Sequence, residues 1–62
     1  MRLYGKIAEL SRASVTVRGE AGSLTCAVPA SFAEKVLGRF AVGDGVKMMC
    51  RGSELTYLEK VV

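Results

Sequence analysis

An alternation of apolar and polar residues with a period of two constrains this chain more than any other feature. It recurs in residues 15–18, 24–28 and 46–51, and glycine-containing turns separate the runs. Successive side chains of a strand point to opposite faces, so this period predicts strands with one buried face. One short helix-like segment, residues 32–37, interrupts the runs. We therefore expect an all-β fold, a small five-stranded barrel with one helix between the third and fourth strands.

The first strand is expected to bend. Leu3, Gly5 and Ile7 share one face of it, whereas Leu10 is out of phase with them. A bulge near Ala8 and Glu9 would account for the change of phase. The expected strands, in chain order, cover the first ten residues, 14–18, 23–28, 46–51 and 55–61.

The last strand has no clean phase. Leu55 and Tyr57 lie on one face of it and Leu58 lies on the other. Because a strand buries every second residue, these three side chains cannot all face inward, and we expect a bulge or an irregular end. We interpret Tyr57 as a partly buried packing residue.

The segment after the third strand predicts a short helix. Pro29 ends the strand, and Ser31 with Glu34 three residues later forms the capping-box pattern at the start of a helix over 32–37. Gly38 is expected to end the helix in a left-handed conformation. The side chains expected to fill the core around this helix are Phe32, Val36, Phe40 and Val42.

The chain is short and mildly basic. Its 62 residues allow a single domain, 1–62. A chain of this length buries only about 60% of its unfolded surface, so the core is small. The net charge of +3 favours an anionic partner, although it also suits a protein that merely stays soluble.

Cys26 and Cys50 are the two cysteines, and both fall in phase with the apolar residues of their strands. The start of the chain lacks the apolar core of about 7–15 residues that marks a signal peptide. We therefore expect a cytoplasmic protein with two reduced cysteines in its core. Their shared inward direction keeps a disulfide across the barrel interior as the alternative. No apolar run approaches the roughly 18 residues of a membrane span, so no membrane partner is expected.

The order of three strands, a helix and two strands resembles the OB-fold, a five-stranded Greek-key barrel. The resemblance rests on Leu3, Gly5 and Ile7, on the stretch 28–32 and on the stretch 42–46. Within that fold the chain is similar to small single-domain barrels of the S1-like and translation initiation factor 1-like type, and to short bacterial OB-like proteins of unknown function. The aromatic pair with which S1-like domains stack bases has no clear equivalent in this sequence.

The sequence offers few of the side chains that catalysis uses. The chain has no histidine, Asp44 is its single aspartate, and its five glutamates are spread out. No phosphate-binding glycine motif is present, and two cysteines without histidine fall short of a four-ligand zinc site. We therefore expect no enzyme, no catalytic residue, no metal site and no cofactor.

Outward positions on the first, second and fourth strands carry the functional hypothesis. Cationic and aromatic side chains together are typical of surfaces that bind single-stranded nucleic acid. The expected contacts to single-stranded RNA or DNA are Tyr4, Lys6, Arg18, Lys47 and Arg51. The competing interpretation is that outward charges serve solubility and protect strand edges.

Two other functions stay open. Met49, Val61 and Val62 are apolar residues expected on the surface, which suggests a homo-oligomer and hence a self-assembling structural or protein-interaction barrel. A looser resemblance to molybdate-binding Mop domains rests on Ser31, Phe32 and Lys35, followed by 42–44. That resemblance implies oxyanion binding near the start of the helix.

Overall fold

The computed structural model describes residues 2–61 and consists of five strands and one helix. In chain order these are β1 Arg2–Leu10, β2 Ser14–Gly19, β3 Gly22–Ala27, α1 Ala30–Arg39, β4 Gly45–Arg51 and β5 Glu54–Lys60. The strands form a closed barrel in the order β1-β2-β3-β5-β4. The predicted fold class is confirmed: an all-β, OB-like barrel with its helix between β3 and β4.

β1 has two neighbours because it bends. Its first half pairs with β4, from Arg2 opposite Met49 to Lys6 opposite Gly45. Its second half pairs with β2, and the register shifts between Ile7 and Glu9. This confirms the predicted bulge, which brings Leu10 back into line with the core-facing residues.

At the point where β1 passes β2, the two backbones lie unusually close together. A Cβ atom on Gly5 would overlap the backbone carbonyl of Arg18, and one on Gly19 would lie 2.7 Å from the carbonyl oxygen of Tyr4. Both distances are shorter than real Cβ contacts. We call this pair, Gly5 and Gly19, the glycine crossing, because only residues without a Cβ allow this approach.

The barrel closes differently between β3 and β5. These strands are parallel and share one residue pair, Ala27 opposite Glu54. The Ala27 N–H donates a hydrogen bond of 2.6 Å to the carbonyl oxygen of Ser53. A disulfide between Cys26 and Cys50 joins β3 to β4 across the interior, behind that pair. We call the Ala27–Glu54 pair together with this disulfide the disulfide seam.

The prediction of two reduced cysteines is therefore wrong, and the alternative is correct. The Cα atoms of Cys26 and Cys50 are 6.4 Å apart, within the range a disulfide spans without moving the backbone. Both residues are buried. The alternating pattern correctly placed both side chains inside, but alternation carries no information about how far apart two strands lie across a barrel.

The core lies inside the barrel and under the helix. Its buried residues are Ile7, Val15, Val17, Cys26, Val28, Ala33, Val36, Val46, Met48, Cys50 and Leu55. Leu3, Leu10, Leu24, Phe32, Phe40 and Leu58 are partly buried and pack against it. The strand residues among the buried set follow the predicted period of two, so the alternation correctly identified the inner face.

The helix differs from the prediction at both ends. It starts at Ala30 with Pro29 as its N-cap, and no side-chain hydrogen bond caps it. The Phe32 N–H instead donates to the carbonyl oxygen of Pro29. The predicted Ser31 cap is wrong because the helix begins earlier: Pro29, with extended backbone, occupies the N-cap position, and Ser31 already lies within the first turn. Gly38 lies inside the helix without a positive φ.

The segment after the helix corrects a second expectation. Phe40 is partly buried and packs on the core, as predicted, but Val42 is 64% exposed. A tight turn explains this difference. The Asp44 carboxylate accepts a 2.9 Å hydrogen bond from the Ala41 N–H, and Gly43 has a φ of +98°. The turn holds Val42 outside the barrel.

The irregularity in the last strand is confirmed, and it is a bulge within β5. Tyr57 pairs with Met49, whereas Leu55 pairs with Cys50, so Thr56 is the extra residue. The bulge lets both Leu55 and Leu58 turn toward the core. It also turns Tyr57 outward, where it is 40% exposed. The interpretation of Tyr57 as a packing residue missed this exposure.

Among residues 2–61 the one helix is too short and too polar to cross a bilayer. The cytoplasmic location stays a prediction.

Candidate functional site

The outer surface of β1, β4 and β5 gathers aromatic and charged side chains in two cross-strand rows. The strand registers place Arg2, Met49 and Tyr57 in one row, and Tyr4, Lys47 and Glu59 in the next. We call these six residues the tyrosine face. Residues directly opposite each other on neighbouring strands have Cβ atoms about 5 Å apart, so each row forms a continuous surface.

Lys47 lies at the centre of the tyrosine face. Its Nζ atom is 5.8 Å from the centroid of the Tyr4 ring and 5.9 Å from that of the Tyr57 ring. Both distances fall within the roughly 6 Å over which an ammonium is attracted to an aromatic face. Tyr4 is 56% exposed and Tyr57 40% exposed. The ammonium therefore lies between two tyrosines whose rings still reach solvent.

Glu59 gives the tyrosine face an acidic edge. It stands opposite Lys47 and two residues along β5 from Tyr57. Hydrogen bonding to the Glu59 carboxylate raises the pKa of Tyr57, and partial loss of hydration and the negative charge add to the effect. Tyr57 accordingly keeps its proton beyond the pH at which a free phenol ionises, and its hydroxyl remains a donor.

The predicted nucleic-acid contacts are not all together. Tyr4 and Lys47 are direct cross-strand neighbours. Lys6 lies opposite Arg18 at the β2 side of the same surface. Arg51 lies at the far end of β4, opposite Glu54. Six residues of strand separate it from the level of Lys6, a distance of roughly 20 Å. The cations thus form an extended line with the tyrosines near its middle.

Sequence reasoning missed Tyr57 and Arg2 as members of this surface. The Thr56 bulge hides Tyr57, because counting outward positions from the buried Leu55 places Tyr57 inside. Counting back from Leu58 would have placed it outside. Arg2 alternates with Leu3 in the first run, so its outward position was readable. The position of Arg2 beside Met49 could not be predicted, because it depends on the β1–β4 register.

The outer surface of β2 and β3 is chemically different. The Thr16 and Thr25 hydroxyls form a 2.7 Å hydrogen bond there, and Arg18 stands opposite Ser23. Neither strand contains an aromatic residue. Within residues 2–61, exposed tyrosines therefore occur on one side of the barrel only.

The residues predicted for self-assembly lie near the tyrosine face. Met49 is 36% exposed and belongs to it. Val61 is 48% exposed, and its N–H donates to the carbonyl oxygen of Gly45, beyond the end of β5. Val62 lies outside the described residues. Met49 and Val61 are surface residues as expected, and whether they contact a second copy stays a prediction.

The segment that resembles Mop domains has its own internal partners. Ser31 and Lys35 are exposed on α1, whereas Phe32 packs against the core. In the following turn the Asp44 carboxylate lies 3.6 Å from the Lys60 Nζ atom and accepts from the Ala41 N–H. A carboxylate at this position repels an oxyanion, so the structure adds nothing to that prediction.

Within the described part of the chain, no cluster of three or more histidine, cysteine, aspartate or glutamate side chains could hold a metal ion. No family model matches this sequence, and neither a curated protein nor a solved structure matches it significantly.

Proposed function

We propose that this protein is a small OB-like module that binds single-stranded RNA or DNA on the tyrosine face. The observation that supports the proposal is the position of Lys47 between the rings of two exposed tyrosines. Aromatic rings on a cationic surface are what proteins use to bind single strands without strong sequence preference. The resemblance to S1-like and translation initiation factor 1-like barrels favours the same function.

Each part of the tyrosine face has a role in this proposal. Tyr4 and Tyr57 offer ring faces on which bases stack, and each stacked base contributes about 1–3 kcal/mol. Lys47 holds the two rings in place and is available to a phosphate. The cations that would follow the backbone to either side are Arg2, Lys6, Arg18 and Arg51. The negative charge of Glu59 repels phosphate at one margin of the tyrosine face and so limits the path that the nucleic acid can take.

Self-assembly is the second candidate, and exposed Met49 and Val61 favour it. An apolar contact between two copies near the tyrosine face would cover the rings rather than present them. The two functions make opposite predictions for salt. Phosphate binding weakens as salt increases, because bound cations are released from the nucleic acid. Burial of apolar surface does not weaken in this way.

The test is a fluorescence anisotropy titration of labelled single-stranded RNA and DNA of mixed sequence, at low and moderate salt. Tyr4→Ala combined with Tyr57→Ala removes both ring faces, and we expect affinity to fall about 30-fold or more. Thr16→Ala with Thr25→Ala, on the outer surface of β2 and β3, is the matched control and should change affinity less than about twofold.

Charge reversal tests the line of cations separately. Arg18→Glu with Arg51→Glu should weaken the binding of RNA and DNA whatever their base sequence, and it should make the affinity less sensitive to salt. Flat titrations at all salt concentrations would overturn the proposal. So would a tyrosine double variant that binds as tightly as the parent. Gel filtration of the parent then decides whether self-assembly takes its place.

A further inference from the structure

β5 has one paired edge and one open edge. The Val61 N–H donates to the carbonyl oxygen of Gly45, which makes these two residues a hydrogen-bonded pair of the β4–β5 ladder. In an antiparallel ladder such pairs alternate with non-hydrogen-bonded ones. Leu58 and Lys60 belong to the non-hydrogen-bonded pairs, so their N–H and C=O groups point away from β4.

Nothing among residues 2–61 satisfies these outward groups. β3 is the strand on that side, but it pairs with β5 only at Glu54. None of the other backbone or side-chain hydrogen bonds reaches Leu58 or Lys60. Beyond Ala27 the chain turns at Pro29 into α1 instead of continuing beside β5. The departure of β3 after one pair thus leaves β5 with a free hydrogen-bonding edge.

The helix and this edge form a groove. It has a cavity volume of about 190 Å³, and its apolar walls are Phe32, Val36 and Phe40 on one side and Leu55 and Leu58 on the other. An open strand edge beside an apolar groove is the arrangement to which extended peptides add as an extra strand. The edge supplies main-chain hydrogen bonds, and the groove takes alternate side chains.

The rim of the groove is cationic. Lys35 and Arg39 line it from the helix. Lys60 lies at the β5 end, with its Nζ atom 5.9 Å from the Phe40 ring. Two carboxylates lie at this end: Asp44 contacts Lys60, and Glu59 lines the adjoining pocket beside Arg39 and Lys60. A basic rim disfavours a second copy of this chain, which carries a net charge of +3, and favours an acidic partner.

We propose that the β5 edge binds an extended, acidic segment of a partner protein, which pairs with Leu58 and Lys60 as a sixth strand. Alternate apolar side chains of that segment enter the groove, and its carboxylates lie along Lys35 and Arg39. This site is on the helix side of the barrel. It stands independently of the tyrosine face, and only Tyr57 borders both surfaces.

The first experiment uses a fluorescein-labelled, acetylated peptide of alternating glutamate and valine, seven residues long by design, titrated with the whole protein. Its control replaces every glutamate with lysine. We expect saturable binding of the acidic peptide and at least tenfold weaker binding of the basic one. Equal binding of both peptides, or of neither, would overturn the proposal.

Two N-methylated versions of the acidic peptide test the strand pairing itself. Alternate N–H groups of an extended strand point to opposite sides, so only one of the two alternating sets can face β5. Methylating that set should weaken binding at least tenfold, and methylating the other should leave it within about threefold. If both methylated peptides bind like the parent, the contact is ionic only and the inference is wrong.

A pair of charge-reversed variants places the site on the protein. Lys35→Glu with Arg39→Glu should weaken binding of the acidic peptide at least tenfold. Lys6→Glu with Arg18→Glu makes the same change in net charge on β1 and β2, at residues that do not line the groove, and should weaken it less than threefold. Equal losses would mean that net charge alone attracts the peptide, which contradicts a site in the groove.

The same two variants separate this inference from the proposed nucleic-acid binding. The groove variant should retain most of its affinity for single-stranded RNA, whereas the Lys6 and Arg18 variant should lose it. Gel filtration of the parent supplies the remaining outcome. A dimer that neither binds the acidic peptide nor dissociates in its presence would show that a second copy covers the edge, and an acidic partner would be excluded.

Discussion

The barrel is closed at two places by different means. At the glycine crossing, the backbones of β1 and β2 approach so closely that no side chain fits between them. At the disulfide seam, β3 and β5 share one backbone pair, and the link behind it is covalent. The glycine crossing depends on the absence of side-chain atoms between two backbones. The disulfide seam depends on a covalent bond where the strands share few hydrogen bonds.

This difference decides where the fold tolerates change. A contact between two backbones cannot adjust to an added methyl group, because the atoms that it would meet are the backbone carbonyls of Arg18 and Tyr4 and not the ends of flexible side chains. A closure made by one bond and one residue pair leaves the adjacent strand edge open to solvent and to partners. The same fold is thus rigid on one side and accessible on the other.

Gly5→Val should have the largest effect, because it places branched carbon atoms where the Arg18 carbonyl lies. We expect a loss of more than about 4 kcal/mol in the free energy of unfolding, in the range reserved for severe core disruption. A loss of this size is comparable to the whole free energy of unfolding of a domain of this length, roughly 3–9 kcal/mol. Circular dichroism during urea titration measures it. A cooperative transition near that of the parent would show that the crossing is not tight.

Removal of the disulfide should have the second largest effect. Cys26→Ala with Cys50→Ala frees a link across a sequence separation of 24 residues. Closing a loop of that length contributes about 3.5 kcal/mol through the entropy of the unfolded chain. We expect the melting temperature to fall accordingly, and to fall similarly when the parent is reduced with a dithiol. If the parent melts at the same temperature with and without reductant, the seam does not depend on the bond.

Hydrogen exchange compares the two closures within one molecule. The Ala27 N–H belongs to the seam, whereas the backbone of the buried Val17 lies within the β1–β2–β3 ladder. A seam with one residue pair opens locally more often than a continuous ladder. We expect the Ala27 amide to exchange at least about tenfold faster than the Val17 amide, measured by NMR. Equal protection would mean that the barrel opens only as a whole.

Gly38→Ala should have the smallest effect and the opposite sign. A Cβ at Gly38 meets nothing within 4 Å, and the residue lies in the exposed last turn of α1. Alanine restricts the unfolded chain and favours helix, so stability should rise by about 0.5 kcal/mol. The same urea titration measures it. A loss of stability here would show that the folded helix end needs the conformational freedom of glycine.

The sequence predicted what depends on local periodicity. The phase change before Leu10 correctly indicated a bulge, and the conflict between Leu55 and Leu58 indicated another. Pairing across the barrel could not be predicted in this way. Whether Cys26 and Cys50 meet depends on which strands face each other, and the position of Tyr57 beside Lys47 depends on the exact residue at which β5 bulges.

The helix start shows a different limitation. Ser31 and Glu34 match a capping pattern, but Pro29, which also marks the end of a strand, occupies the N-cap position two residues earlier, and no side chain caps the helix. Two valid local signals overlapped, and the chain uses the earlier one. The open edge of β5 had no sequence signal at all, because it results from where β3 ends relative to a strand almost thirty residues later.

The bond between Cys26 and Cys50 also fixes how much chain a mechanical force can draw out. When the protein is pulled from its two ends, the segment between the cysteines, which includes α1 and most of β4, bears no tension. Fully extended, the described residues span about 210 Å, and the bond withholds about 80 Å of that length. Oxidised and reduced molecules of the same sequence would therefore differ by more than a third in the length released on unfolding.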